Sequence, residues 1–273
     1  EMGRVTLKDL VVANLLRVQE ASRVLEEFAK FTNTDAAKKF KNFRFKVYKL
    51  EKEIITSREK KSLLDFHLYV ILGDDGTLGD KNIIAVAAEA IEGGAGAIQM
   101  RIKNGGTRDL LQIGHKLREL TTSKGVTFIV NDRPDIALAV NADGVHLGQD
   151  DLPAGVARNI IGTGKIIGIS THSREQALEA IKDGADYIGV GPVFGTRTKA
   201  GAGSPVGTEL LRVVSSEIHI PIVAIGGINA DNVVNVLEAG VTKCAVISAV
   251  AAAQDVVSAT KRIKSAILSG RSK

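Results

Sequence analysis

Eight short apolar runs, separated by polar or amphipathic stretches, dominate the chain from Leu68 onward. Near-continuous apolar strands that alternate with helices are typical of a parallel sheet covered by helices. A count of eight favours closure into a barrel, because an open doubly wound sheet usually has fewer strands and a glycine-rich loop after the first one. The segment Gly73–Gly76 after the first run lacks that fingerprint. The predicted strands are 68–72, 97–101, 127–131, 144–147, 166–170, 187–191, 222–225 and 245–248, and the predicted helices include 82–92, 108–123, 174–183, 232–238 and 251–268.

The first 62 residues follow a different pattern, with helical spacing and no strand. Apolar residues at steps of three, four and seven predict two amphipathic helices within residues 6–58, joined by a turn at 32–35. A charged linker is expected at 59–62. We therefore predict an α/β protein of two domains, a helical hairpin in residues 1–62 and a (βα)8 TIM barrel in residues 63–273. The apolar stripe of the hairpin needs a further surface to cover it.

Charge and composition argue against several classes of function. Residues 1–62 hold 15 Lys+Arg against 9 Asp+Glu, so the basic character of the chain belongs to the hairpin. The chain has no Trp and 4% aromatic residues, which argues against a base-stacking surface for nucleic acid. The single cysteine, Cys244, cannot form an internal disulfide, and no run approaches the roughly 20 apolar residues that span a membrane. We expect a cytoplasmic protein that binds neither nucleic acid nor membrane.

Polar residues at the carboxyl ends of the strands are the candidates for function, because active sites of such barrels lie at that face. Alternation along the second strand aims Gln99, Arg101 and Lys103 in the same direction. Two cations and an amide at the barrel mouth suit a phosphate or diphosphate. The alternative is a solvated basic strand end.

Two aspartates follow the next two strands. Asp132 comes directly after the third strand, and Asp151 comes shortly after the fourth. We expect their carboxylates to meet at the rim of the barrel. Mg²⁺ usually takes one or two carboxylates together with phosphate oxygens and water, so this pair beside a diphosphate predicts a Mg²⁺ site. Caps and turns are the ordinary alternative for an Asp pair.

The fifth and sixth strands end in residues that are suited to contact a ligand. Ser170 either donates a hydrogen bond to a ligand or caps the next helix. His172 is a candidate general base, although capping or packing is the more ordinary role. Thr196, Arg197, Thr198 and Lys199 begin a long loop of small residues, which predicts a lid over a phosphorylated substrate.

The seventh and eighth strands lead into Gly226–Ile228 and Ser248. Exposed backbone N–H groups at these two strand ends form the recurrent phosphate site of (βα)8 barrels, and glycine lets the backbone approach the oxygens. The mouth therefore divides into a diphosphate pocket with Mg²⁺ and a monophosphate pocket. This division predicts a reaction of two substrates in which pyrophosphate leaves.

Residues 68–250 resemble the thiamine-phosphate synthase family through motifs that occur in the family's order. Gln99–Lys103 is similar to that family's Q-[aliphatic]-R-x-K, with Met100 in the aliphatic position. Each motif is weak alone, and the ordered set is specific. The further motifs are Asn131–Arg133, Ala142–Asp151, Ser170–His172, Gly191–Lys199 and Gly226–Ile228.

The resemblance implies roles for individual residues. Asp132 and Asp151 are implied as Mg²⁺ ligands, and Arg101, Lys103 and Lys199 as the catalytic cations. The pyrimidine diphosphate is implied to bind Gln99, Met100, Arg101, Ile102, Lys103, Asn131, Ser170 and Lys199. The thiazole phosphate is implied to bind Thr196, Arg197, Thr198, Gly227, Ile247 and Ser248.

The same resemblance implies the chemistry. Hydroxymethylpyrimidine diphosphate loses pyrophosphate, and the nitrogen of hydroxyethylthiazole phosphate then attacks the pyrimidine methylene carbon to give thiamine phosphate. The alternative is a thiazole tautomerase on the same barrel, which would need the monophosphate pocket and an acid–base group such as His172. The N-terminal helices look like an extra domain found on some members, and association into a homo-oligomer is left open.

Overall fold

The computed structural model describes residues 7–196 and 203–270, and these form two compact units, Glu1–Lys61 and Ser62–Lys273. The first unit contains α1 (Leu7–Thr32) and nearly all of α2, which runs from Thr34 to Leu63 and so ends two residues beyond the unit. Asn33 lies between them, and its Oδ1 accepts from the backbone N–H of Asp35 at 3.0 Å, which caps α2. The predicted linker at 59–62 is wrong. Those residues are helical, because Glu and Lys are good helix formers.

The hairpin of α1 and α2 has a polar seam. Glu26 is 6% exposed, and one of its carboxylate oxygens accepts from Nε and Nη2 of Arg44 at 3.2 and 3.1 Å. Gln19 is also buried, and its amide donates to Glu51 at 2.6 Å. The larger apolar side chains are exposed instead, and Phe31 reaches 91%. The predicted apolar stripe of α1 is therefore only partly covered; the exposed apolar residues of the hairpin are Leu10, Leu16, Val18, Val24, Leu25, Phe28, Phe31, Phe43, Phe45, Tyr48 and Leu50.

The second unit is a closed barrel of eight parallel strands in sequential order, and β1 also pairs with β8. The predicted (βα)8 fold is confirmed. Its strands are β1 (Leu68–Gly73), β2 (Ala97–Arg101), β3 (Thr127–Asn131), β4 (Gly144–Leu147), β5 (Ile166–Thr171), β6 (Tyr187–Val190), β7 (Ile222–Ile225) and β8 (Lys243–Val246). The helices around them are α3 (Ile83–Glu92), α4 (Thr107–Lys124), α5 (Pro134–Ala139), α6 (Ala154–Ile161), α7 (Arg174–Lys182), α8 (Gly207–Glu217), α9 (Val233–Glu238), α10 (Ser248–Ala251) and α11 (Val256–Gly270).

Two boundaries near the end of the chain differ from the prediction. The final helix predicted over 251–268 is divided into α10 and α11, because the Asp255 carboxylate accepts from the backbone N–H of Ser258 at 2.8 Å and so caps a new helix. Strand β8 begins at Lys243, two residues earlier than predicted. The ammonium group of Lys243 donates to the carbonyl of Phe66 at 2.8 Å, so a charged residue is accommodated at the start of an apolar strand.

Alternation along the strands produces two separate cores. Side chains such as Val70, Met100 and Val246 face the helices and form the larger core. Side chains such as Tyr69 and Tyr187 face inward and fill the barrel. The inward register places Gly73 beside Arg101 and Asn131 beside His146 at the carboxyl ends of their strands. The polar residues predicted to act together are thus presented at one face of the barrel.

Candidate active site

Two cationic side chains lie at the carboxyl end of β2, and each is close to a carboxylate. Arg101 is the last residue of β2, and its Nη1 lies 3.5 Å from Oδ2 of Asp75, with both side chains 11% exposed. The Nζ of Lys103 lies 3.5 Å from Oδ2 of Asp132, and half of the Lys103 side chain is exposed. Arg101 is therefore nearly enclosed, whereas Lys103 reaches solvent.

The carboxylates of Asp132 and Asp151 form a pair at the ends of β3 and β4. Asp132 directly follows β3 with a φ of 60°, and its backbone N–H donates to the carbonyl of His146 at 2.8 Å. Asp151 accepts from the backbone N–H of Gly148 at 2.6 Å. Burial, then a hydrogen bond with Asp151 and the charge of Asp151, raise the pKa of Asp132 to about 6, although Lys103 opposes the rise. The fold thus tolerates both backbone strain and like-charge repulsion at this position.

This pair has the donor chemistry of a hard-cation site. A divalent cation held by both carboxylates would offset the repulsion that, together with burial, raises the pKa of Asp132. Within residues 7–196 and 203–270, no group of three or more His, Cys, Asp or Glu side chains is arranged to hold a metal. Mg²⁺ needs fewer protein ligands than that when phosphate oxygens and water complete its coordination. Asp132 and Asp151 therefore fit the predicted ion, and the ion itself stays a prediction.

A chain of polar side chains crosses the barrel interior and ends at the mouth. The amide of Gln99 donates to the Tyr69 hydroxyl at 2.6 Å, and that hydroxyl lies 3.4 Å from the hydroxyl of Tyr187. His146 joins Tyr187 to Ser170, with Nδ1 2.9 Å from the Tyr187 hydroxyl and Nε2 2.9 Å from Ser170 Oγ. Burial raises the pKa values of both tyrosines, so they remain neutral hydrogen-bonding groups. The chain fixes Ser170 at the entrance to the barrel.

A cavity of about 290 Å³ opens beside Ser170 and is lined by the ends of β5 to β8. The segment after β6 contacts the turn after β7 at this cavity, because the backbone N–H of Phe194 donates to the carbonyl oxygen of Gly226 at 3.0 Å. Gly227 has a φ of 64°, and a Cβ at this position would lie 2.6 Å from the carbonyl oxygen of Gly195. Only glycine therefore fits where these two loops meet. Thr196, Gly227, Ile247 and Ser248, all predicted for the thiazole phosphate, line this cavity.

His172 also lines the cavity, and the backbone restricts its ring. Nδ1 lies 2.5 Å from the carbonyl oxygen of Gly191, and a carbonyl only accepts, so Nδ1 carries the proton. The backbone N–H of His172 donates to the Gln176 side chain at 2.7 Å. The imidazole is thus held against the cavity wall, as the packing alternative predicts. When the ring is neutral, its Nε2 carries no proton.

The remaining predicted residues differ in where their side chains lie. Asn131 ends β3 beside the interior chain. Met100 is 2% exposed and lies in the core between strands and helices, and Ile102 packs against the same core. For Met100, contact with a ligand at the mouth is therefore limited to the backbone, whereas Ile102 is only partly buried. Arg197, Thr198 and Lys199 lie outside the described residues.

Sequence reasoning missed three interior residues and the loop after β1. Tyr69 and Tyr187 are two of the chain's three tyrosines and stand in apolar runs, so they were indistinguishable from aromatic core residues. Their inward register was the available signal, since a buried Tyr hydroxyl needs a partner. His146 had no assignment. Asp74 and Asp75 belong to no motif, and only the structure shows that they contact the β2 end.

The described part of the chain contains no helix that is both long and apolar enough to cross a bilayer. Two family models match separate parts of the chain. A family model described as "Thiamine monophosphate synthase" matches residues 68–250. A second model, described as "ThiD2 family", matches residues 1–53.

Individual relatives match most of the chain. The thiamine-phosphate synthase of Chloroflexus aurantiacus is 47% identical over 205 residues, which cover 75% of this chain and 94% of the relative. That of a Synechocystis species is 41% identical over 263 residues, covering 96% of this chain and 75% of the relative. The solved structure of thiamine phosphate pyrophosphorylase from Pyrococcus furiosus is 47% identical, with a TM-score of 0.70 over 77% of this chain and 98% of that one. With these matches and this barrel, the chain belongs to the thiamine-phosphate synthase family.

Proposed function

We propose that this chain condenses hydroxymethylpyrimidine diphosphate with hydroxyethylthiazole phosphate to give thiamine phosphate and pyrophosphate. Family membership gives the reaction class, a transferase of thiamine biosynthesis. The observation that carries the proposal is the arrangement of one mouth: two cations and a carboxylate pair at β2 to β4, and a cavity at β5 to β8. Such a mouth suits two phosphorylated substrates held side by side.

The leaving diphosphate is assigned to the end of β2. Arg101 and Lys103 are preorganised donors for the charge that grows on pyrophosphate as the carbon–oxygen bond breaks. Asp132 and Asp151 would hold Mg²⁺, which when bound neutralises diphosphate charge and so stabilises the leaving group. Lys199 is proposed as a third cation from the resemblance alone.

The thiazole phosphate is assigned to the cavity beside Ser170. Its phosphate is proposed to bind near Gly227 and Ser248, where the β7 turn and the start of α10 provide backbone N–H groups. A phosphate held there leaves the thiazole ring to face the pyrimidine group at the mouth. Gln99 and Ser170, which the interior chain fixes, are proposed to orient that pyrimidine.

No side chain needs to act as a nucleophile in this scheme, because the thiazole nitrogen supplies the electron pair. The protein's work is to bind, to orient and to stabilise charge, which is the largest single contribution in many enzymes. The matched family and relatives are synthases, so the comparisons give the thiazole tautomerase alternative no support. A cytoplasmic location and a homo-oligomeric state stay predictions.

The test is thiamine phosphate formation by purified protein from the two substrates, with Mg²⁺ and with EDTA. We expect product and pyrophosphate in equal amounts, only with Mg²⁺. Lys103→Met should fold normally and lose about 100- to 1000-fold in rate, the usual cost of one preorganised donor. Lys116→Met, which removes an exposed lysine from α4, is the matched control and should retain full rate. Absence of product from well-folded wild-type protein would refute the proposed function.

A further inference from the structure

The loop that follows β1 contacts the end of β2 through Asp74, whose carboxylate binds the backbone beside the two cationic residues. Asp74 Oδ1 accepts from the backbone N–H of Lys103 at 2.9 Å, and Oδ2 accepts from the backbone N–H of Asn104 at 2.7 Å. Burial alone would raise the pKa of Asp74, but these two hydrogen bonds lower it below its usual value. The ionised carboxylate thus grips the turn that begins at Lys103, and this turn sets where the Lys103 side chain starts.

The neighbouring carboxylate contacts the guanidinium group. Asp75 Oδ1 accepts from the backbone N–H and the hydroxyl of Thr77 at 3.2 and 2.5 Å, which fixes the side chain within its own loop. Its Oδ2 is buried and makes no hydrogen bond. Its ionic partner is Arg101, whose Nη1 lies 3.5 Å from this oxygen. Burying a carboxylate oxygen without a hydrogen bond costs folding free energy, so the placement of Asp75 beside Arg101 needs a functional explanation.

We infer that Asp74 and Asp75 are positioning residues for the diphosphate pocket. Asp74 holds the backbone that presents Lys103, and Asp75 holds the guanidinium plane of Arg101 towards the mouth. Neither residue touches the substrate. Because an Arg side chain loses much rotamer freedom when it binds, a carboxylate that restricts it beforehand lowers that cost. This inference rests on the proposed function for the identity of the anion.

A positioning role predicts the opposite change in anion affinity from the change that charge alone predicts. Removal of a negative charge near an anion pocket strengthens anion binding if charge alone matters. Removal of a positioning carboxylate weakens it. Asp75→Asn keeps the shape and the hydrogen bond from Thr77 but removes the ion pair with Arg101. Asp80→Asn removes one charge from the same loop at an exposed position, and is the matched control.

The first measurement is calorimetric binding of inorganic pyrophosphate in the presence of Mg²⁺ to the full chain. We expect Asp75→Asn to weaken binding about tenfold, the effect of losing one interaction of a charged group. We expect Asp80→Asn to bind as tightly as wild type or slightly more tightly. Asp74→Asn retains one of two acceptor contacts and should also weaken binding, which keeps the inference testable if thermal unfolding shows that Asp75→Asn is misfolded.

The second measurement is steady-state kinetics with both substrates. A positioning role raises KM for the pyrimidine diphosphate in Asp75→Asn and leaves KM for the thiazole phosphate unchanged, whereas a general loss of structure raises both. Pyrophosphate binding by Asp75→Asn that equals or exceeds the wild-type affinity would overturn the inference. Wild-type protein that binds pyrophosphate but forms no product would overturn the proposed function instead, and the binding comparison would still decide the role of the loop.

Discussion

Replacing Asp132 by Asn is expected to stabilise the metal-free protein and to abolish most of its turnover. The pKa of this carboxyl is about 6 in the folded chain against a usual value of 3.8, because it is buried beside Asp151. Keeping it ionised near neutral pH therefore costs folding free energy. Asn carries no charge and is among the residues that best tolerate a positive φ, so the substitution removes the repulsion without adding backbone strain.

The size of the gain follows from the difference in pKa. A rise from 3.8 to about 6 corresponds to at most about 3 kcal/mol, at about 1.36 kcal/mol for each pKa unit. The side chain is 26% exposed, so we discount this value for solvent screening to about 1–2 kcal/mol. The folded pKa lies above the unfolded one, so the penalty is absent below about pH 4, grows between about pH 4 and 6, and is complete above that window.

The assay is urea unfolding in EDTA at pH 8 and at the lowest pH at which both proteins stay folded, followed by turnover measurement with Mg²⁺. The variant should be more stable at pH 8, and its advantage should shrink as the pH falls. Asp135→Asn is the matched control. Arg133 holds the pKa of Asp135 below its usual value, so that variant should gain nothing at pH 8. A lower stability of the Asp132 variant at pH 8, or an advantage independent of pH, would refute the reasoning.

Three further substitutions test other parts of the structure. Gly227→Ala forces a side chain into a left-handed conformation against backbone, so we expect a loss of about 1–3 kcal/mol in urea unfolding and weaker binding of thiazole phosphate. Tyr187→Phe deprives His146 of a buried partner and should cost about 1–3 kcal/mol, measured by thermal unfolding. Arg44→Met leaves the buried Glu26 with only the more distant Lys30, at 3.9 Å, as a charged partner, and should destabilise the hairpin by about 3 kcal/mol, seen as faster amide exchange in α1 and α2.

Much of the barrel could be predicted because its strands are bounded by sharp changes in polarity. The bounds predicted for β2, β3, β4 and β7 are the observed ones. The prediction failed where a polar residue belongs to an element for a tertiary reason. Lys243 starts β8 because its ammonium group finds the carbonyl of Phe66, and Asp255 interrupts the last helix because it caps α11. Neither partner is visible in a local window of sequence.

The site was predictable to the extent that strand order places consecutive strand ends together. Asp132 and Asp151 were expected to meet for this reason, and the Asp151 carboxylate lies close enough to add, after burial, to the raised pKa of Asp132. The contact between Asp75 and Arg101 was not predictable, because a loop of variable path separates Asp75 from any periodic element. The polar seam of the hairpin was also missed, since helical periodicity finds apolar stripes, and a pair such as Glu26 with Arg44 is a tertiary choice.

The pairing of β1 with β8 has a consequence for how the chain is made. Val70 is the register partner of Val246, so the first strand of the barrel cannot be paired on both edges until the last strand has been synthesised. At about 5–20 residues per second, the edge of β1 is exposed for on the order of ten seconds on the ribosome. An unpaired, apolar strand edge is a site for association with other chains. The barrel is therefore most vulnerable to aggregation during translation, and slower synthesis of residues 74–242 should lower its soluble yield.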